Sequence, residues 1–352
     1  APAKHFNPHV DAVTFYQQIP LSPVNPGKNS SAGPRLHQAL FNEVVEIVEA
    51  CGPEVKIRIL NAYFLNTTTQ QKFGSFWTLK NNLVPLQKIQ TPQYIPQPID
   101  YHYPNFKHDQ VATLIKPWHH FSAGTRFKFD PKDGKIYLYQ IDTNQFIKIK
   151  IPNHFLSFNT PRTNQQLRQD FVNLVKKWAT PTGQKSIPYA WGGCSFVDQL
   201  PMHKVKIKRQ NGLEYYTMAG KKLTCHTGLD CSGLVLRACQ TIGIPYFYKN
   251  SSTLAHELPE IKVHERILPG DLIWLAGHVI IIADPQSGLC IEARDYGHGY
   301  GKVQQIHINQ LFYETANIDQ LKHAYHKGKS LTRIDKKGAK HGNYHIKILK
   351  LI

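Results

Sequence analysis

With 352 residues the chain is too long for one ordinary compact domain, and its 41% hydrophobic content excludes wholesale disorder. A net charge of +18, from 42 Lys and Arg against 24 Asp and Glu, points to anionic surroundings such as nucleic acid, anionic lipid or an anionic cell wall. The basic residues are spread along the chain, which argues against a dedicated nucleic-acid site. No apolar run approaches the ~20 residues that cross a bilayer, and six cysteines are too few for a disulfide scaffold.

Residues 1–36 read as an arm, because proline, glycine and serine punctuate "IPLSPVNPGKNSSAGP" too often for a long element. Residues 37–95 change to short strands: Val55, Ile57 and Ile59 in "EVKIRIL" alternate with the period of a half-buried strand. Residues 96–160 repeat that style after the proline-rich "QTPQYIPQPIDYHYPNF". Thr125, Phe127 and Phe129 alternate, "DPKDGK" turns, and Ile147, Ile149 and Ile151 alternate again. The spacing fits two small β-barrels.

From residue 161 helix and strand signals mix. "NTPRTNQQLRQDFVNLVKKWA" predicts a helix capped by Thr160 with Pro161 in its first turn, burying Leu167, Phe171, Leu174, Val175 and Trp178. An insertion occupies 194–229; inside it "KVKIKRQNGLEYYTM" predicts a hairpin around Asn211-Gly212, and Cys194 and Cys225 flank it closely enough that they could pair across its base. Then come "GLDCSGLVLRACQTIGIPY" and the strands "DLIWL", "HVIIIAD", "LCIEARD" and "YHIKILKLI".

Leu234, Val235, Ala238 and Ile242 form one stripe, so a helix begins near Cys231 and places the sulfur at its amino end. Unpaired N–H groups and the helix dipole there favour thiolate, the strong nucleophile. Gly233 keeps the turn open to approach. The same residue reads equally well as a small buried apolar thiol. A base is available in "GHVIIIADPQSGLCIEARD". A turn near Pro285-Gln286 pairs the flanking strands and sets His278 opposite Glu292 to within one residue, on one face, where a carboxylate fixes the ring tautomer. Asp295 falls on the other face.

"IPYAWGG", "LDCSGLV" and "LPGDLIWLAGHVIII", in that order, resemble the NlpC-type branch of papain-like cysteine peptidases, which are bacterial cell-wall hydrolases. The resemblance covers 161–352 and implies an α+β chain: a papain-like NlpC catalytic domain at the carboxyl end, preceded by two SH3-like β-barrels. It implies Cys231 as nucleophile, His278 as general base and Tyr189 as a hydroxyl donor to the oxyanion beside the Cys231 N–H. Trp191 then walls the cleft. Asp230 and Ser232 hold the free amine of the substrate's terminal L-alanine, and Ser251 and Ser252 line the acyl side. The family's third catalytic position is most often histidine; here Glu292 occupies it. The inserted 194–229 is expected to rim the cleft.

The implied activity is endopeptidase cleavage of the γ-D-glutamyl to diamino-acid bond in peptidoglycan stem peptides or muropeptides, by a monomer in the periplasm or outside the cell, at the envelope. The alternatives are a wall-binding protein without catalysis and a thiol acyltransferase. No closed zinc-site spacing, HExxH or phosphate-cradling glycine loop occurs, so neither metal nor cofactor is expected, nor specific nucleic acid.

Overall fold

A computed structural model describes residues 37–352, apart from 60–63, 67–68, 97–109, 159, 181–184, 198–199, 202–203, 211–212, 223–226, 245–248 and 296. The arm 1–36, most of the proline-rich connector, the Asn211-Gly212 turn and Cys225 lie outside the described residues. No helix among those described is long and apolar enough to cross a membrane.

The chain is mixed α/β. The first sheet contains β1 (Val45–Cys51), β2 (Glu54–Ile59) and β5 (Ser75–Leu79), with β3 (Phe64–Leu65) paired to β4 (Lys72–Phe73) beside it. In β2 the alternation in sequence becomes alternation in burial: Val55, Ile57 and Ile59 are inside. The second sheet runs β6 (Val111–Leu114), β7 (Arg126–Asp130), β8 (Lys135–Gln140), β9 (Gln145–Ile149) and β10 (Leu156–Phe158), in the order β10-β6-β7-β8-β9. Among the described residues neither sheet closes into the expected barrel. The end strands β9 and β10 do not pair; instead Phe41 packs against the core of Phe121, Phe127 and Ile136, and Ile89 and Ile95 cover Tyr139.

Helix α1 (Asn164–Ala179) starts three residues later than the Thr160 signal suggests. Thr163 caps it, because Thr163 and Gln166 form a reciprocal capping box: the Gln166 N–H donates to Thr163 Oγ1 at 3.2 Å and the Thr163 N–H donates to Gln166 Oε1 at 2.9 Å. Its inner face carries Phe171, Leu174, Val175 and Trp178, with Leu167 partly buried. The insertion forms β11 (Cys194–Ser195), β12 (Lys206–Gln210), β13 (Leu213–Met218), β14 (Lys221–Lys222) and β15 (Gly228–Leu229). β12 and β13 pair as a hairpin closing at Gln210 and Leu213. Its base is the β11–β15 ladder; Cys194 is a free buried thiol, so it does not make the bridge across the base that the spacing allowed.

Helix α2 (Cys231–Ile242) follows at once, then α3 (Ser251–Glu257). The main antiparallel sheet is β16 (Leu272–Leu275), β17 (His278–Asp284), β18 (Leu289–Arg294), β19 (Lys302–His307) and β22 (Ile346–Leu349), in the order β19-β18-β17-β16-β22. Helix α4 (Ile318–His326) and the hairpin β20 (Leu331–Ile334) and β21 (Lys340–Tyr344) complete the chain. The sheet is buried on both faces. Val279, Ile281 and Ile291 pack toward α1 and α2, while Ile280, Ile282 and Cys290 pack toward α4. Such two-sided burial gives strands with near-continuous apolar runs.

The segments read as separate modules share cores. Leu236 of α2 and Cys194 join Val55, Ile57 and Ile59 in one cluster. The Trp178 indole N–H donates to the Ile115 carbonyl at 2.8 Å, and the Leu65 N–H donates to Thr253 Oγ1 at 2.8 Å. Helix α2 is therefore buried nearly all round, not on one stripe.

Candidate active site

Cys231 is the first residue of α2 and is buried, 8% exposed. Asp230 caps the helix by accepting from the Gly233 N–H at 2.6 Å. Gly233 serves packing rather than access. A Cβ there would lie 1.9 Å from the Gly193 carbonyl oxygen, and one on Gly193 would lie 2.3 Å from that of Gly228. The three glycines let the "WGG" turn and the nucleophile helix pack backbone to backbone.

The backbone N–H groups of Val279 and Ser232 lie toward the Cys231 sulfur and favour its charged form. The sulfur thus lies near the residue that follows His278. Burial and the Asp230 charge push its pKa up to about 12, against the two N–H groups and the Lys249 charge. This runs against the expected thiolate: desolvation and the neighbouring carboxylate favour the neutral thiol.

His278 opens β17 and keeps 16% of its side chain exposed. Its Nε2 hydrogen bonds to Glu292 Oε2 at 3.1 Å. The two do not stand opposite. The turn places Asp284 opposite Leu289, and after a one-residue bulge between Ile282 and Asp284 the β17–β18 register runs through Ile281↔Ile291, which sets Glu292 beside Ile280. Relative to His278 opposite Glu292 the shift is two residues, so strand parity survives and the side chains meet diagonally on one face.

Glu292 is fully buried and held from three sides: by His278, by Arg333 Nη2 at 3.0 Å and by Gln304 Nε2 at 3.1 Å. Burial pushes its carboxyl up, but the Arg333 charge, the His278 hydrogen bond and the Arg294 charge outweigh that and hold it well below the usual carboxylate range. Burial lowers the His278 ring from its ordinary 6.5; Glu292 opposes this, while Arg333 and Arg294 add to it. The resting pair is neutral imidazole beside carboxylate.

Tyr189 is buried, bridged to Leu229 two residues before the thiol, with its N–H donating to the Gly301 carbonyl at 2.8 Å. Tyr216, from the insertion, ties the same loops together: its hydroxyl donates to the Gly301 carbonyl at 2.6 Å, with the Tyr189 carbonyl at 3.2 Å. Trp191 stands 37% exposed on the adjoining turn. Ser251 is buried and Ser252 half-buried in the first turn of α3, which Asn250 caps. That helix receives Leu65 of the first module, so an upstream residue reaches the site's border.

Asp230 and Ser232 meet an internal partner. Lys249 is buried, and its Nζ donates to Asp230 Oδ2 and, at 3.3 Å, to Ser232 Oγ; Ser232 Oγ donates to Asp230 Oδ1 at 2.9 Å. Sequence reasoning missed Lys249, Arg333 and Gln304. Arg333 left a signal: it shares the phase of buried Leu331 along β20, and an arginine on the apolar phase of a strand needs a buried anion. Among the described residues no cluster of His, Cys, Asp and Glu is arranged to hold a metal ion.

The site is therefore a thiol at a helix start, set against the residue after a carboxylate-held histidine, on a mixed α/β chain. No family model and no curated protein matches the chain. Solved structures do resemble it. An NlpC/P60 family protein from Bacillus cereus aligns with a TM-score of 0.46 at 16% identity, over 78% of this chain and 76% of that one. A peptidoglycan hydrolase from Mycobacterium tuberculosis aligns at 0.28 and 20%, over 56% and 74%. An NlpC protein from Trichomonas vaginalis aligns at 0.30 and 15%, over 83% and 88%.

Proposed function

We propose that the chain is a cysteine peptidase of the cell wall, cleaving the γ-D-glutamyl to diamino-acid bond of peptidoglycan stem peptides at the envelope. The observation that carries this reading is the seat of Cys231: a helix-start sulfur near the Val279 N–H, in the residue after a histidine whose Nε2 is held by buried Glu292. Residues 161–352 are the catalytic unit, and the two upstream sheets pack against it.

Glu292, as acceptor, keeps the ring proton on Nε2 and leaves the Nδ1 lone pair as the base. Burial favours the neutral thiol, so its proton passes to His278 as sulfur attacks the D-glutamyl carbonyl. Glu292 stabilises the imidazolium formed. The oxyanion is received by the Cys231 N–H and the Tyr189 hydroxyl. The imidazolium protonates the leaving amine, and the ring then activates water to release the acyl group from sulfur. Trp191 and the serine pair Ser251 and Ser252 border the acyl side. The +18 charge retains the enzyme near an anionic wall, an effect that salt weakens.

The test is release of new amines from peptidoglycan, with product masses from defined muropeptides. Release that is lost in Cys231→Ala supports the reading; release that persists in that variant, or none from the unaltered chain, sinks it.

A further inference from the structure

A pocket of about 420 Å³ opens at the edge of the main sheet, between the outermost strand β19 and the end of α1. Ala179, Thr180, Tyr300, Lys302, Gln304 and Gln305 line it. Its volume falls within the roughly 300–1,000 Å³ of small-molecule sites. Lys302 is the single charged residue of that lining. It is half-buried and makes no ion pair among the described residues, and burial alone lowers its pKa. A partly desolvated ammonium without an anion is stabilised by one that arrives. The rest of the lining is neutral. The Gln305 amide donates to Thr180 Oγ1 at 2.8 Å, and Thr180 Oγ1 donates to the Lys176 carbonyl at 2.7 Å, so this wall is fixed. It stands at the carboxyl end of α1, where the last carbonyls carry partial negative charge. A ligand's anionic group therefore belongs at Lys302 and its hydroxyl groups at the Thr180 wall. Gln304 spends one amide N–H on Glu292, at 3.1 Å, which leaves a second N–H and a carbonyl on that amide. Tyr300, 50% exposed, adds an aromatic ring whose centroid lies 6.0 Å from Lys302 Nζ.

We propose that this pocket binds a sugar that carries a carboxylate. The carboxylate pairs with Lys302, the ring hydroxyls meet the two amides and Thr180, and the C–H face of the ring lies on Tyr300. No acidic side chain lines the pocket, so the ammonium of an amino acid or peptide has no counter-ion there. The assignment does not depend on the hydrolase reading.

The experiment titrates D-glucuronate, D-glucose and acetate separately into the unaltered chain, followed by ligand-observed NMR at one ionic strength high enough to screen the +18 charge. Glucuronate is expected to bind at least ~10-fold more tightly than either, because it alone offers both the ring and the charge. Lys302→Met removes a half-buried cation that has no anion, so the variant is expected to keep the parent's melting temperature while its affinity for glucuronate drops to that for glucose. Tyr300→Ala, at a half-exposed side chain, is expected to weaken glucuronate at least ~3-fold, and it carries the test alone if Lys302→Met fails to fold. Glucuronate that does not bind, or binds no more tightly than glucose or acetate, overturns the proposal. Full affinity for glucuronate in either folded variant overturns it as well.

Discussion

The Arg333 guanidinium donates to the Glu292 carboxylate at 3.0 Å, with both side chains buried. One carboxylate thus serves two cations, the fixed Arg333 and the ring of His278. Removing one partner leaves the other charge unpaired, so Arg333→Met is expected to destabilise the chain by about 3–5 kcal/mol. Arg333→Met with Glu292→Gln should recover much of the loss, because no lone buried charge remains. Urea denaturation of the two single variants and the double variant checks this.

The same pair sets the acid limb of activity. His278 must be neutral to act as base, and its pKa is lowered by burial, so activity should persist below pH 6.5 and fall as pH drops through the lowered value. Glu292 raises that ring. Glu292→Gln therefore moves the acid limb to lower pH and reduces kcat/KM by roughly 10²–10⁴-fold. Arg333 lowers the ring, so Arg333→Met moves the limb the opposite way. The readout is the pH profile of kcat/KM.

His37 predicts part of the acid sensitivity of the fold. Its Nδ1 lies 3.4 Å from Cys194 Sγ, its ring stacks near Phe76, and its buried Nε2 has no hydrogen-bond partner among the described residues. Burial first, with the Arg237 and Lys249 charges adding, lowers its pKa from 6.5 to about 3, against Glu43 and Asp230. A depressed histidine is neutral in the folded state, while the unfolded chain binds the proton below its ordinary pKa. The stability is whole above pH 6.5 and drains as pH falls toward 3, with a limiting slope of about 1.4 kcal/mol per pH unit. In His37→Gln that component should vanish, so the stability gap between variant and parent must change over this window. A constant gap contradicts it.

Gly233→Ala puts a methyl 1.9 Å from a backbone oxygen that no side-chain rotation can relieve. The expected cost is about 3 kcal/mol or more, with loss of activity as the Gly193 turn moves off the nucleophile helix. Gly134→Ala is the control: that glycine has positive φ and open space, so its cost is only about 1 kcal/mol. Denaturation midpoints of the two variants compare them.

Local period was enough to read several parts of this chain. The alternation of β2, the inner face of α1, the start of α2 at Cys231 and the hairpin in the insertion each depend on neighbours a few residues away. Even the His278–Glu292 pair was legible through strand parity, which a two-residue register shift leaves intact.

The amino-acid sequence by itself determined the order of elements and which residues share a face, because periodicity and capping are short-range. Tertiary structure alone decided that burial favours the protonated thiol, that Arg333 anchors Glu292 from 41 positions away, and that Lys249 occupies Asp230 and Ser232. Those outcomes depend on desolvation and on charges brought together by folding, and neither quantity exists until the core has closed around them.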